Sequence, residues 1–180
     1  MTTEQLRHRM PPILKALKER SLRGRTPVEG LRRTECAYHG WDTVHADAAS
    51  WEPFAPGDAF GGLEAHHCFK GTVTLPEASA GKRVVCLVST GASDIWNNNN
   101  PQFLAYVDGR LVCGLDVNHN EFDLAACAVP GESHELALYV YCNTPARDVF
   151  LRVETAERDD DVTGLYYDLR APYEVCALLA

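Results

Sequence analysis

The 180 residues suffice for one ordinary domain, and a composition that is 46% hydrophobic and 23% charged excludes a disordered or fibrous chain. The formal charge of -8 conceals an asymmetry: residues 1–33 hold nine Lys and Arg against Glu4, Glu19 and Glu29, a net +6, which leaves -14 on the remainder. These basic charges are spread along a short helical segment without interleaved aromatics, which argues against a nucleic-acid-binding arm and for packing against the protein's own acidic surface.

Leu6, Met10, Ile13, Leu14 and Leu17 repeat close to the i, i+3, i+4, i+7 spacing of an amphipathic helix. Pro11-Pro12 predicts an interruption, with one short helix ending near Met10 and a second begun by the prolines. A Gly- and Arg-rich connector is expected through Arg25-Thr26-Pro27. From about Cys68 the period becomes alternating and turn signals crowd together, which predicts a β domain. Strands are expected at 69–75, 84–88, 103–107, 111–113, 121–124, 135–142 and 149–154. Asp108-Gly109, between two apolar runs, predicts a two-residue type I′ turn, because both positions need positive φ. Asn97 to Asn100, followed by Pro101, reads as a loop. Leu165, Leu169, Tyr173, Cys176 and Leu179 return to helical spacing, with Pro172 a break or a helix start.

The fold class is therefore mainly β: an antiparallel β-sandwich in preference to a barrel, which the strand spacing does not fully separate from it, with jelly-roll topology preferred, N-terminal helices and a C-terminal linker helix. The pattern of strand, turn and second strand ending in a long loop resembles the galactose-binding-like jelly roll of family 2 glycosidases. The expected organisation is a helical arm over 1–35, the sandwich over 36–156, and the start of a linker helix over 157–180. No run approaches the roughly 20 apolar residues of a membrane span, and Met1-Thr2-Thr3-Glu4-Gln5 lacks the apolar core of a signal peptide. Seven cysteines, an odd number without a C-x-x-C pair, read as reduced and mostly buried thiols. Together these predict a cytoplasmic protein with neither nucleic-acid nor membrane partners.

Two stretches carry more than composition. One runs from Trp51-Glu52-Pro53-Phe54 through Phe60-Gly61-Gly62 to His67-Cys68-Phe69-Lys70-Gly71-Thr72-Val73-Thr74-Leu75-Pro76. The other is Asn100-Pro101-Gln102-Phe103-Leu104-Ala105-Tyr106-Val107-Asp108-Gly109-Arg110-Leu111-Val112-Cys113-Gly114-Leu115-Asp116-Val117-Asn118-His119-Asn120-Glu121. Both resemble the N-terminal domain of cytosolic and bacterial α-mannosidases of glycoside hydrolase family 38. The second is similar to the segment where those enzymes write a strand, an Asp-Gly hairpin and a Gly-Leu-Asp-x-Asn-His loop. Leu165-Tyr166-Tyr167-Asp168-Leu169-Arg170 resembles their linker toward the catalytic domain, and the apolar run at Leu178-Leu179-Ala180 is read as the boundary of a longer polypeptide.

The resemblance implies a non-catalytic domain whose full-length parent is a zinc-dependent retaining exo-α-mannosidase. Zinc and the catalytic carboxylates are expected in a catalytic domain outside this chain. The implied partners are that catalytic domain, a mannoside at the domain edge, and further copies in a homo-oligomer. A free-standing carbohydrate-binding module and a structural assembly domain are the competing readings.

Among candidate sites, His45-Ala46-Asp47 with Trp51 is set aside as a zinc motif: two ligands do not make a site, and the family's motif lies in its catalytic domain. Glu64, His66 and His67 are set aside because adjacent strand residues face opposite sides. Tyr106, Tyr139 and Tyr141 are assigned to the core or an interface in preference to a sugar platform. Asp116, Asn118, His119 and Glu121 form the polar cluster dense enough for a site. The preferred reading is loop structure or docking of a neighbouring domain, ahead of the rim of a mannose site or an independent sugar site. No Ser or Cys nucleophile with a paired His, and no phosphate-binding Gly-rich loop, is present, so no catalysis is expected of the chain alone.

Overall fold

The computed structural model describes residues 3–90, 101–117, 119–145 and 147–179. Two compact units emerge, one drawn from the chain ends, through Arg25 and from Ala156 onward, and one comprising Thr26–Thr155.

In the terminal unit, α1 (Thr3–Ser21) packs along α2 (Asp160–Leu178). The interruption expected at Pro11-Pro12 is absent, and α1 is continuous. Proline's fixed φ is itself helical, so its cost is a missing N–H and crowding of the preceding turn. The carbonyls so deprived belong to Arg7 and His8, both exposed and open to water. The stripe Leu6, Met10, Leu14 and Leu17 is half-buried, whereas Ile13 is exposed. In α2 the buried positions are Thr163 and Tyr166, with Leu169 and Tyr173 half-buried, while Leu165, Cys176 and Leu179 face out. The helical period was legible there, but the buried stripe is offset from the apolar one. Asp159 caps α2 by accepting the Val162 N–H at 3.1 Å and also pairs with Arg23 at 3.0 Å, so an acidic residue sits at the positive end of the helix dipole.

The second unit is an antiparallel β-sandwich. Its strands are the end of β1 (Leu22–Pro27, of which 22–25 belong to the terminal unit), β2 (Arg32–Cys36), β3 (Glu52–Pro53), β4 (Ala59–Phe60), β5 (Ala65–Thr74), β6 (Arg83–Ser89), β7 (Gln102–Val107), β8 (Arg110–Leu115), β9 (Glu121–Ala125), β10 (Ser133–Cys142), β11 (Val149–Phe150) and the start of β12 (Arg152–Arg158, of which 156–158 belong to the terminal unit). They form a six-stranded sheet ordered β3-β2-β5-β10-β7-β8, a four-stranded sheet ordered β1-β12-β6-β9, and a β11-β4 pair. From β5 onward the chain passes repeatedly between the two large sheets, as in a jelly roll. One cluster unites their inner faces: Phe69, Phe103, Leu136 and Leu138 from the larger sheet meet Cys86, Val88, Phe122 and Val153 from the smaller.

Two features depart from the sequence reading. Residues 22–36, expected to be connector and arm, supply β1 and β2. Leu-Arg-Gly-Arg-Thr-Pro has no apolar alternation, and its strand character comes from pairing beside β12. The second feature concerns the outer face of the large sheet, where β5 and β10 are buried on both sides over most of their length. The cover is a 3-10 segment over 40–50 followed by Trp51. Val44 and Trp51 pack on Cys68, Tyr106, Ala137 and Tyr139 in a second apolar cluster. Lys70, nearly buried, bolts the cover down. Its ammonium donates to the Ala46 carbonyl at 2.9 Å, lies 3.1 Å from the Glu135 carboxylate and faces the Trp51 ring at 6.0 Å.

Candidate functional site

The hairpin at Asp108-Gly109 positions everything that follows. Asp108 and Gly109 adopt φ of 50° and 73°, as a type I′ turn requires. The turn is fastened to the start of β10: the Asp108 N–H donates to the Glu135 carbonyl at 2.9 Å, its Oδ1 accepts the Glu135 N–H at 2.9 Å, and Oδ2 lies 2.8 Å from His134 Nδ1. The hydrogen bond from His134 holds the Asp108 carboxyl below the usual carboxylate range. Among the described residues this Asp-His pair has no nucleophile in hydrogen-bonding contact. Ser133 is the preceding strand residue, faces the other way, and shares its hydroxyl with Thr74 at 2.8 Å.

At the far end of this hairpin, where Phe103 pairs with Leu115, the chain leaves β8 through residues 116–120 for β9. Asp116 and His119 meet there. Asp116 donates its N–H to the His119 carbonyl at 3.0 Å, and Asp116 Oδ1 accepts the His119 N–H at 2.7 Å and lies 3.2 Å from Nδ1. This is the local closure by which Asp residues shape loops. The His119 side chain is 80% exposed, so it is available to a neighbour. Glu121 opens β9, half-buried, opposite Leu87 of β6. Asn118 lies outside the described residues. The loop is tied to the smaller sheet, since the Val88 N–H donates to the Asn120 carbonyl at 2.8 Å.

Beside Asp116 a groove of about 420 Å³ opens on the outer face of the large sheet, walled by Tyr139, Tyr141 and Gln102. Behind it His66 stacks against both tyrosines, with ring centroids 5.7 and 5.1 Å away. The Tyr139 hydroxyl lies 2.7 Å from His66 Nδ1, and the Tyr141 hydroxyl donates to Glu64 Oε1 at 2.9 Å. Burial raises the Tyr139 phenol, and the bond to Glu64 raises that of Tyr141, so both stay neutral near pH 7. Tyr106 and Tyr139 do belong to the second apolar cluster, whereas Tyr141 is only half-buried. A second concavity of about 450 Å³ is walled by Leu31, Phe54, Phe150 and Val153.

His66 and His67 point to opposite faces, His66 toward Tyr139 and His67 into the core between Phe60 and Phe69. His67 is 1% exposed and neither ring nitrogen has a partner in hydrogen-bonding geometry, although the Gly61 backbone lies near enough to favour the protonated ring. Burial outweighs that contact and lowers its pKa. His45 packs edge-on against Tyr106, and Asp47 accepts the Ala49 N–H at 3.0 Å as a helix cap, so neither is arranged as a zinc ligand. Among the described residues no group of three or more His, Cys, Asp or Glu side chains is placed to hold a metal ion. The seven cysteines are free thiols: Cys68, Cys86 and Cys142 are buried, Cys36 and Cys113 half-buried, and Cys127 and Cys176 exposed. No described helix is long and apolar enough to cross a membrane.

No protein family and no curated protein sequence matches the chain. Solved structures do share its fold. The β-glucuronidase of Faecalibacterium prausnitzii aligns with a TM-score of 0.50 and 11% identity over 76% of this chain and 32% of that one. That of Bacteroides uniformis gives 0.54 and 11% over 74% and 18%, and that of Ruminococcus gnavus 0.52 and 7% over 74% and 29%. The chain spans a third or less of each of these proteins, and at such identity the likeness is one of fold: an antiparallel sandwich that also occurs within β-glucuronidases.

Proposed function

We propose that this chain is a non-catalytic β-sandwich domain of a glycoside hydrolase, specifically of an α-mannosidase of the family 38 type. The observation that carries this reading is the Asp108-Gly109 hairpin and the Gly114-to-His119 loop it feeds, which resemble that family's and stand on a sandwich of a kind found inside larger glycosidases. Glucuronide hydrolysis belongs to the structural neighbours, and a shared fold does not transfer their substrate. In the reading offered here the full-length protein removes terminal α-linked mannose with retention, acts in the cytoplasm and assembles as a homo-oligomer. Its zinc and catalytic carboxylates are held by residues outside this chain.

Within that protein the end of the sandwich carrying Asp116 and His119 meets the catalytic domain or forms the rim of its pocket. Exposed, hydrogen-bonding loop residues suit such a contact, because their groups stay satisfied on either side of it. The test is His119→Ala. Activity of the full-length enzyme should fall, or the domain contact loosen, while the stability of the 180-residue chain changes by less than about 1 kcal/mol. An unfolded chain with unchanged activity per folded full-length molecule would make His119 a structural residue.

A further inference from the structure

Residues directly paired across strands share a face of the sheet. The register therefore places His66, Tyr141 and Gln102 in one row on the outer face of the large sheet, and Cys68, Tyr139, Leu104 and Gly114 in the next. Val44 and Trp51 cover Cys68 and Tyr139. Gln102 and Gly114 are exposed, and the groove of about 420 Å³ opens between them and the tyrosines. That volume falls within the roughly 300–1,000 Å³ of small-molecule sites.

We propose that this groove binds a neutral saccharide, with one sugar ring lying along Tyr141 and Leu104. Aromatic surface is present beside a few convergent polar groups. Tyr141 offers an apolar ring face, Gln102 both donates and accepts, and the Asp116 carboxylate accepts, which matches the mixed demands of sugar hydroxyls. The walls are fixed in advance, since His66 stacks on both tyrosines and Glu64 holds the Tyr141 hydroxyl, so little ordering remains to oppose binding. Charge selects against an anionic sugar: the described lining holds Asp116 and no Lys or Arg, and Glu64 stands behind Tyr141. A wholly apolar ligand would bury the Gln102 amide without a hydrogen-bond partner. The choice of a saccharide among neutral ligands rests on the glycosidase reading, whereas the groove does not.

Gly114 keeps the groove open. Its backbone is ordinary strand, and a Cβ there would meet only the Phe103 carbonyl oxygen at 3.8 Å, an unstrained contact. A larger side chain fits the backbone and projects on the side of Leu104, into the groove.

The experiment is an amide NMR titration of the 180-residue chain with methyl α-mannoside, methyl β-glucoside and methyl β-galactoside, with glucuronate alongside. At least one neutral glycoside should give saturable shifts centred on Gln102, Leu104, Gly114 and Tyr141, and glucuronate should bind at least tenfold more weakly. Gly114→Leu should weaken binding at least tenfold at an unchanged melting temperature. Should that variant fail to fold, Gln102→Ala, a surface change, should weaken binding at least threefold. The proposal is overturned by no saturable shift with any of the three, by shifts centred elsewhere, by glucuronate binding equally, or by a folded Gly114→Leu or Gln102→Ala chain that binds like the parent chain. A negative titration leaves the parent's mannosidase activity standing, and a parent without that activity leaves a positive titration standing, so the two readings fail separately.

Discussion

Gly109→Val tests the hairpin on which the loop and the groove depend. Gly109 sits at φ 73°, and the space around it is adequate, since a Cβ would meet only the His45 ring at 3.6 Å, an ordinary contact. Any cost therefore comes from the backbone. An L-residue in the left-handed region costs about 1–2 kcal/mol, the expectation for Gly109→Ala. Valine, β-branched, pushes this to about 2–3 kcal/mol. At roughly 2–4 °C per kcal/mol for a chain of this size, Gly109→Val should melt roughly 4–12 °C lower, with Ala between it and the parent chain. The assay is thermal unfolding by circular dichroism, with urea titration to check that the slope is unchanged. Equal melting temperatures for Gly, Ala and Val at 109 would refute the type I′ turn. A uniform drop for both variants would point to a clash with His45 instead of backbone strain.

Two further outcomes follow from the packing. Lys70→Met keeps the stem but removes the donor to Ala46 and the partner of Glu135, and should cost about 1–3 kcal/mol. Hydrogen exchange should quicken first over residues 40–51, and uniform exchange across the domain would contradict the role given to Lys70 as a bolt for the cover. His67 has its pKa lowered by burial, so the unfolded chain binds its proton more readily than the folded one. The stability this contributes is present above the ordinary histidine value of 6.5 and is lost as pH falls from there through the lowered folded value. His67→Leu should flatten the decline in melting temperature below pH 6.5, and an unchanged slope would show that His67 is not its source.

Some of this architecture is legible in the chain because it is local. Asp108-Gly109 declares its turn, since few other pairs tolerate two positive φ angles, and β5, β6, β7 and β10 show their apolar runs. What could not be read is non-local. Nothing in residues 37–51 announces that Val44 and Trp51 lie on Cys68 and Tyr139, and Leu22–Pro27 is a strand by virtue of its neighbour. Pro11-Pro12 misled because the penalty falls on the carbonyls of Arg7 and His8, both exposed residues, where a lost helical hydrogen bond costs little. At the candidate site, the density of polar residues at Asp116, Asn118, His119 and Glu121 is what the sequence shows, while the hydrogen bond from the His119 N–H to Asp116 is a detail of the folded loop. The groove was missed because its parts come from three strands, Gln102, Gly114 and Tyr141, and a signal existed only in the exposed-face glycine and the Tyr-x-Tyr alternation.

The most direct measurement of the central claim is hydrolysis by the purified full-length protein of an aryl α-mannoside and an aryl β-glucuronide, with the 180-residue chain assayed alongside. The account predicts release from the α-mannoside by the full-length protein, lost on chelation and restored by zinc, and no turnover by the chain alone with or without zinc. Hydrolysis of the β-glucuronide in place of the α-mannoside, or turnover by the 180-residue chain that survives repurification, would contradict it.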